Sequence, residues 1–161
     1  MIIEFLNELK NNQLWRGISK PIQSISISEI EQLEQLWNNS IFFPKALREL
    51  LFLAGQNCYV LDYGWNGTQQ NMQTKAREWM VDHNRIITRP FYVIDVYNAG
   101  DQFLMVYLDE GDNPNVYSVF LPQGWEKALG SGNSWIGNTE RTLKDFLVFR
   151  VNKVKQGINP F

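Results

Sequence analysis

The hydrophobic pattern of this chain changes from a helical to a strand period close to residue 90. Before that point, apolar residues recur at the spacing that is typical of amphipathic helices. After it, 91–97, 102–108 and 116–121 are short runs rich in Val, Tyr, Phe and Ile, each long enough for one strand. The turns between them are short, and short connections favour antiparallel pairing because parallel strands need crossovers. The sequence therefore predicts an α+β fold with an N-terminal helical hairpin, a central antiparallel β-meander and a C-terminal helix.

Capping and breaking residues place the helices that precede the meander. Ser28 and Glu31 have the Ser-x-x-Glu spacing of a capping box, in which each side chain binds the other residue's backbone N–H. Pro44 suits the first turn of the next helix, and Gly55 suits its end. These two helices form the predicted hairpin. A third helix is predicted from Thr68, with its apolar side chains on one face.

Three further segments have weaker patterns. Residues 58–61 are predicted to form a short edge strand, and 122–139 are predicted to be a long, glycine-rich loop. The last helix is predicted to start at Thr139 or Glu140. These assignments complete an order of helices, meander and final helix.

One globular unit is predicted at 24–161, preceded by a short amphipathic helix and a polar linker at 1–23. The first residues carry no basic leader, and no window reaches the roughly 18 apolar residues of a membrane-spanning helix. We therefore expect a cytoplasmic protein without a membrane segment.

Composition excludes several classes of site. The chain has 161 residues, with one Cys and one His. A single Cys excludes an internal disulfide and a Cys-rich zinc site, and a single His excludes a metal centre built on two or three His. With 17 acidic and 15 basic residues, the net charge of −2 argues against a strongly basic nucleic-acid binder. The sequence predicts no metal and no cofactor.

Cys58 and His83 are the only side chains that could form a nucleophile–base pair. Neither lies in a recognisable catalytic motif. His83 shares a predicted helix face with Trp79 and Met80, and an isolated Cys more often behaves as a small buried apolar residue. Both are therefore predicted to be core or boundary residues, and the protein is predicted not to be an enzyme.

Acidic residues are concentrated in the predicted sheet. The segment 90–126 contains six acidic residues and neither Lys nor Arg, whereas 127–161 is basic overall. An acidic sheet would attract a partner with a basic surface. The alternative is that Asp is simply a common turn residue, and both interpretations stay open. The candidate partner-binding acids are Asp101, Asp109, Glu110 and Asp112.

Three tryptophans lie in glycine-containing loops, where a core position is less expected. Tryptophan is frequent at the anchor points of protein interfaces and in sites where a ring stacks on a ligand. Trp65, Trp125 and Trp135 therefore join the candidate binding residues, with packing on the sheet as the alternative.

The order of these patterns resembles the SUKH superfamily, the Smi/Knr-type domain, over about residues 24–150. The first helices match through Ile30-x-x-Leu33-x-x-x-Trp37, Phe43-Pro44-x-x-Leu47-x-x-Leu50-Leu51 and Ala54-Gly55. The strands match through Gly100-Asp101-x-Phe103-Leu104, Leu108-Asp109 and Val116-Tyr117, and the closing helix through Thr142-Leu143-x-x-Phe146-Leu147.

The resemblance implies a non-catalytic protein-binding module. Bacterial members of the superfamily are widely immunity proteins that bind and block a cognate toxin, so the implied partner is such a toxin. Three alternatives stay open at this point. One is a small-ligand domain, for example for sugars, that uses the loop tryptophans, and another is a hydrolase built on Cys58 and His83. The third is a purely structural or regulatory scaffold, which differs from the immunity protein only in its partner.

Overall fold

The structure is a computed structural model that describes residues 1–12, 21–64, 66–125 and 134–161. Its helices and strands have the α+β order that the sequence predicts. They are α1 (Asn7–Asn11), α2 (Ile27–Trp37), α3 (Lys45–Ala54), α4 (Gln69–Asp82), β1 (Phe91–Tyr97), β2 (Gln102–Tyr107), β3 (Asn115–Phe120), β4 (Ile136–Thr142) and α5 (Leu143–Lys155).

The four strands form one antiparallel sheet in the order β1-β2-β3-β4. The first three strands and the turn at 98–101 agree with the predicted meander. β4 corrects the prediction, because residues 136–142 belong to the sheet and not to a loop or to the last helix. Polar side chains and a half-exposed edge position hide this strand from a search for apolar runs. The last helix starts at Leu143, and the Thr142 hydroxyl accepts the Asp145 N–H at 3.3 Å.

Two local predictions were wrong. The capping box uses Ser26 and Glu29 in place of Ser28 and Glu31: Ser26 Oγ accepts the Glu29 N–H at 3.2 Å, and Glu29 Oε2 accepts the Ser26 N–H at 2.8 Å. Both pairs have the Ser-x-x-Glu spacing, but the helix begins at Ile27, two residues earlier than the Ser28–Glu31 pair predicts. Residues 58–61 form a buried turn and not a strand, so their apolar side chains reflect core packing.

β1 and β2 are buried on both faces, which explains why these two strands are nearly continuous apolar runs. Tyr92 and Leu104 point to a first core that α1, α2, α3 and α5 cover. Val93 and Met105 point to a second core beneath α4. Leu6 and its neighbour Leu9 are buried in the first core, so the N-terminal helix packs on the same core as the rest of the fold.

Side chains of α4 cover the outer edge of β1. Gln73 Nε2 donates to the Val93 carbonyl at 2.8 Å, and Gln73 Oε1 accepts the Val93 N–H at 2.9 Å. One turn later, Arg77 Nη2 donates to the Phe91 carbonyl at 3.1 Å. These bonds occupy edge groups that could otherwise pair with another strand, and they fix the position of Arg77.

Candidate partner-binding surface

The predicted binding residues lie at opposite ends of the sheet. Asp101 immediately precedes β2, and its carbonyl accepts the Leu121 N–H at 2.9 Å. Trp125 follows β3 and Trp135 precedes β4, so both belong to this same end, and both are half-buried. Trp65 lies outside the described residues.

The other predicted acids lie in the turn between β2 and β3, at the far end of β2. A six-residue strand is about 20 Å long. Asp109, Glu110 and Asp112 are therefore too far from Asp101 to act with it as one compact patch. The structure divides the predicted surface into two.

Basic side chains from other segments lie against these turn acids. Arg89 Nη2 is 2.5 Å from Asp109 Oδ1 and 3.2 Å from Glu110 Oε1. The hydrogen bond from Arg89 lowers the pKa of Asp109 and raises that of Arg89. Lys45 Nζ is 3.3 Å from Asp112 Oδ2. The sequence segment 90–126 is acidic, but in the fold Arg89 and Lys45, from outside that segment, neutralise the charges of its turn acids.

Asp95, the acidic residue in the middle of β1, is buried, and its side chain pairs with groups inside the protein. Its Oδ2 is 2.5 Å from Arg150 Nη1 on α5, and its Oδ1 accepts the Asp62 N–H at 2.6 Å. The Tyr97 hydroxyl also donates to Asp95 and contacts Arg150. Burial raises the pKa of Asp95 to about 6, although Arg150 and these donors lower it. This network joins α5 to β1 and takes no part in an outer surface.

An open groove of mixed polar and apolar lining lies between α2 and α4. It has a volume of about 440 Å³. We call it the α2–α4 groove and define it by Leu36, Trp37, Ile41, Arg77, Ile87 and Phe91. Arg89, the partner of Asp109 and Glu110, also lines it, so those two predicted acids stand at its rim.

Large apolar side chains at the α2–α3 corner are exposed beside this groove. Leu36 is 54% exposed, Ile41 65% and Phe42 68%. The corner is held in place from beneath, since buried Glu34 Oε1 accepts the Phe43 N–H at 2.8 Å and Asn38 Nδ2 donates to the Ile41 carbonyl at 3.0 Å. Fixed, exposed apolar side chains of this kind are typical of protein-binding sites.

Arg77 lies inside the groove between two aromatic rings. Its guanidinium carbon is 4.1 Å from the Trp37 ring centroid and 4.2 Å from that of Phe91. Burial lowers the pKa of Arg77 to about 10, so the side chain remains charged at neutral pH. Tryptophan and arginine are among the residue types enriched at interface hot spots, and here the two are in contact.

Sequence reasoning missed the groove, although one signal was available. Ile41, Phe42 and Phe43 are consecutive apolar residues in the turn between two helices, and only Phe43 is buried. Loops run over the protein surface, so apolar residues in this turn were candidates for an exposed contact. Arg77 carried no comparable signal, because its neighbours in the groove come from 36–41 and 87–91.

Cys58 and His83 belong to different surroundings. Burial raises the pKa of the Cys58 thiol to about 12, which keeps it protonated and unreactive at neutral pH. A nitrogen of the His83 ring lies 2.8 Å from the Trp79 carbonyl, and the other is 3.8 Å from Asp101 Oδ1. These contacts agree with the predicted core and boundary positions and provide no activated nucleophile.

A second cavity lies between α2, the end of α3 and the start of α4. It measures about 530 Å³ and is lined by polar side chains, among them Gln32, Asn57, Asp62 and Gln70. Tyr63 contributes an aromatic ring to its wall. Polar groups around one ring are a lining that could hold a small polar ligand.

Within the described ranges, no three side chains of His, Cys, Asp or Glu come together as a metal site requires. Nor does this part of the chain contain a helix with the length and apolarity needed to cross a bilayer. Comparison with family models, curated proteins and solved structures gave no match. The SUKH-like assignment therefore stays a prediction from the sequence.

Proposed function

We propose that this chain is a non-catalytic protein-binding module of the immunity type, which neutralises a cognate toxin by binding it through the α2–α4 groove. The observation that carries the proposal is the Trp37–Arg77–Phe91 stack beside the exposed Leu36 and Ile41. Trp37 and Arg77 are half-buried, and Leu36 and Ile41 are exposed, so these side chains would lose water on binding. Desolvated aromatic and Arg side chains supply most of the energy of an interface.

Charge has a different role here from the one that the sequence suggests. Asp109 and Glu110 are paired with Arg89, so they are part of a mixed-charge rim around the groove. A polar rim excludes water from the centre of an interface and contributes mainly to the rate and specificity of association. The partner therefore need not present a strongly basic surface.

Co-expression with the product of the adjacent gene, as the candidate toxin, tests this function. The wild-type chain should restore growth, and Leu36→Asp or Ile41→Asp should weaken complex formation about 30-fold, because a charge would be desolvated at the centre of the contact. Purified complexes provide the dissociation constants. Both residues are exposed, so the fold should tolerate the changes.

Ile158→Asp is the matched control, since Ile158 is 50% exposed and outside the groove. It should bind as the wild type does. Undiminished toxicity in the presence of the wild-type chain would refute the toxin–immunity function. Equal binding by all three variants would refute the groove as its site.

The polar cavity supports a second candidate function, the binding of a small polar ligand such as a sugar. Tyr63 would supply a surface for stacking, and Asp62 and Gln70 would supply hydrogen bonds. We expect a sugar that binds there to alter the intrinsic fluorescence of the chain, and Gln70→Ala to weaken that response. Fluorescence that stays constant across a glycan panel would count against this candidate.

A further inference from the structure

Arg77 has no acidic partner among the described residues, unlike the two other arginines near the groove, Arg48 and Arg89. Arg48 lies 3.3 Å from the carboxylate of Glu34, and Arg89 contacts Asp109 and Glu110. Among the described residues, no carboxylate lies within salt-bridge distance of Arg77, whose hydrogen bonds go to Gln73 and to the Phe91 carbonyl. A half-buried positive charge is therefore held without a negative counterpart.

The environment of Arg77 favours a planar anion at this point. Its hydrogen bonds all come from the two Nη groups, whereas guanidinium has five N–H donors in a flat fork. Contact with the Trp37 and Phe91 rings holds that fork in place. A carboxylate is the protein group that matches such a fork, and the partial burial of Arg77 strengthens the pairing.

We infer that the α2–α4 groove binds a partner segment that carries an Asp or Glu side chain between apolar residues, with the carboxylate on Arg77 and the apolar side chains against Leu36 and Ile41. This inference rests on the proposed protein-binding function and names the chemistry of the partner. The acidic residue complements the positive charge of Arg77, and its apolar neighbours complement the exposed Leu36 and Ile41.

Two capped peptides and the full chain provide the test. One peptide carries a single Glu between leucines, and the other has Gln at that position. We expect the Glu peptide to shift the NMR signal of the Arg77 Nε–H, and to bind about tenfold more tightly than the Gln peptide because the bond to it is charge-assisted. That ratio should shrink as salt is added.

Variants assign the effect to Arg77. Arg77→Gln should remove the preference for the Glu peptide. Lys75→Gln should keep it, since Lys75 is an exposed charge on the same helix that pairs with Glu78. The comparison of the two peptides on the unaltered chain remains decisive even if Arg77→Gln is unstable.

Three outcomes would overturn the inference. Equal affinities for the two peptides would show that Arg77 does not select a carboxylate. That result would not affect the proposal that the groove binds a protein. The absence of any shift at Arg77 would place the acidic segment elsewhere. Dimerisation of the free chain that Arg77→Gln abolishes would identify a second copy as the occupant. Failure of the proposed function itself shows separately, as toxicity that persists on co-expression.

Discussion

Arg150→Met should lower the free energy of unfolding by about 3 to 5 kcal/mol, which is the cost of leaving a buried charge without its partner. In the native protein, Arg150 Nη1 contacts Asp95 Oδ2 at 2.5 Å and the Val60 carbonyl at 2.7 Å. Its guanidinium carbon also lies 4.4 Å from the Phe146 ring centroid. Methionine fills part of the volume but leaves the Asp95 carboxylate without a cationic partner, with only the Asp62 N–H and the Tyr97 hydroxyl as donors, and it leaves the Val60 carbonyl without the Arg150 donor. Urea unfolding measures the loss.

The loss should depend on pH with a defined sign. The pKa of Asp95 in the folded state is about 6, above its ordinary value, and removal of Arg150 raises it further. A group with a raised folded pKa contributes less stability as the pH rises through that value. Arg150→Met should therefore cost more at about pH 8 than at about pH 5, where the carboxyl can take up a proton.

Arg141→Met is the matched control for this prediction. Arg141 is exposed on β4 and lies over the Phe149 ring, with its guanidinium carbon 4.5 Å from the centroid. Its replacement should change the stability by less than about 0.5 kcal/mol. A loss below about 1 kcal/mol for Arg150→Met would mean that the buried pair does not hold α5 on the sheet.

Glu49→Ala should cost about 3 kcal/mol and release the N-terminal helix, because one buried carboxylate satisfies three backbone donors. Glu49 Oε1 accepts the Glu4 N–H at 2.7 Å, and Oε2 accepts those of Phe5 and Leu6 at 2.9 Å. α1 has no side-chain cap, and Glu49 on α3 instead holds the segment 4–6 that leads into it. Alanine leaves these donors without an acceptor.

Hydrogen exchange locates this effect. Amides of residues 4–11 should exchange faster in Glu49→Ala, while those of β2 keep most of their protection. Glu31→Ala is the control, since Glu31 is exposed on α2. Unchanged protection at residues 4–6 in Glu49→Ala would show that apolar packing alone holds α1 in place.

The fold was largely predictable because its core elements are apolar and its helices have recognisable ends. β1 and β2 are nearly continuous apolar runs, since α4 covers one face of the sheet and the other helices cover the second. β3 has apolar residues at its buried positions. β4 has no such run: it is an edge strand, and backbone pairing with β3 holds it. Local patterns detect burial better than they detect backbone pairing.

The binding surface was less predictable because its charges pair across the chain. Asp109 and Glu110 meet Arg89, about twenty residues earlier, and Asp95 meets Arg150 on the last helix. A count of charge along the sequence cannot include these partners. The groove depends in the same way on three separate segments that meet only in the folded chain.

Hydrogen exchange of the complex with the co-expressed partner, compared with the free chain, tests the groove most directly. Binding at the α2–α4 groove predicts slower exchange at residues 36–42 and 86–91, and no change at 98–101 and 121–125. Protection confined to 98–101 and 121–125 would contradict the account, because it would place the partner at the opposite end of the sheet, beside Asp101 and Trp125.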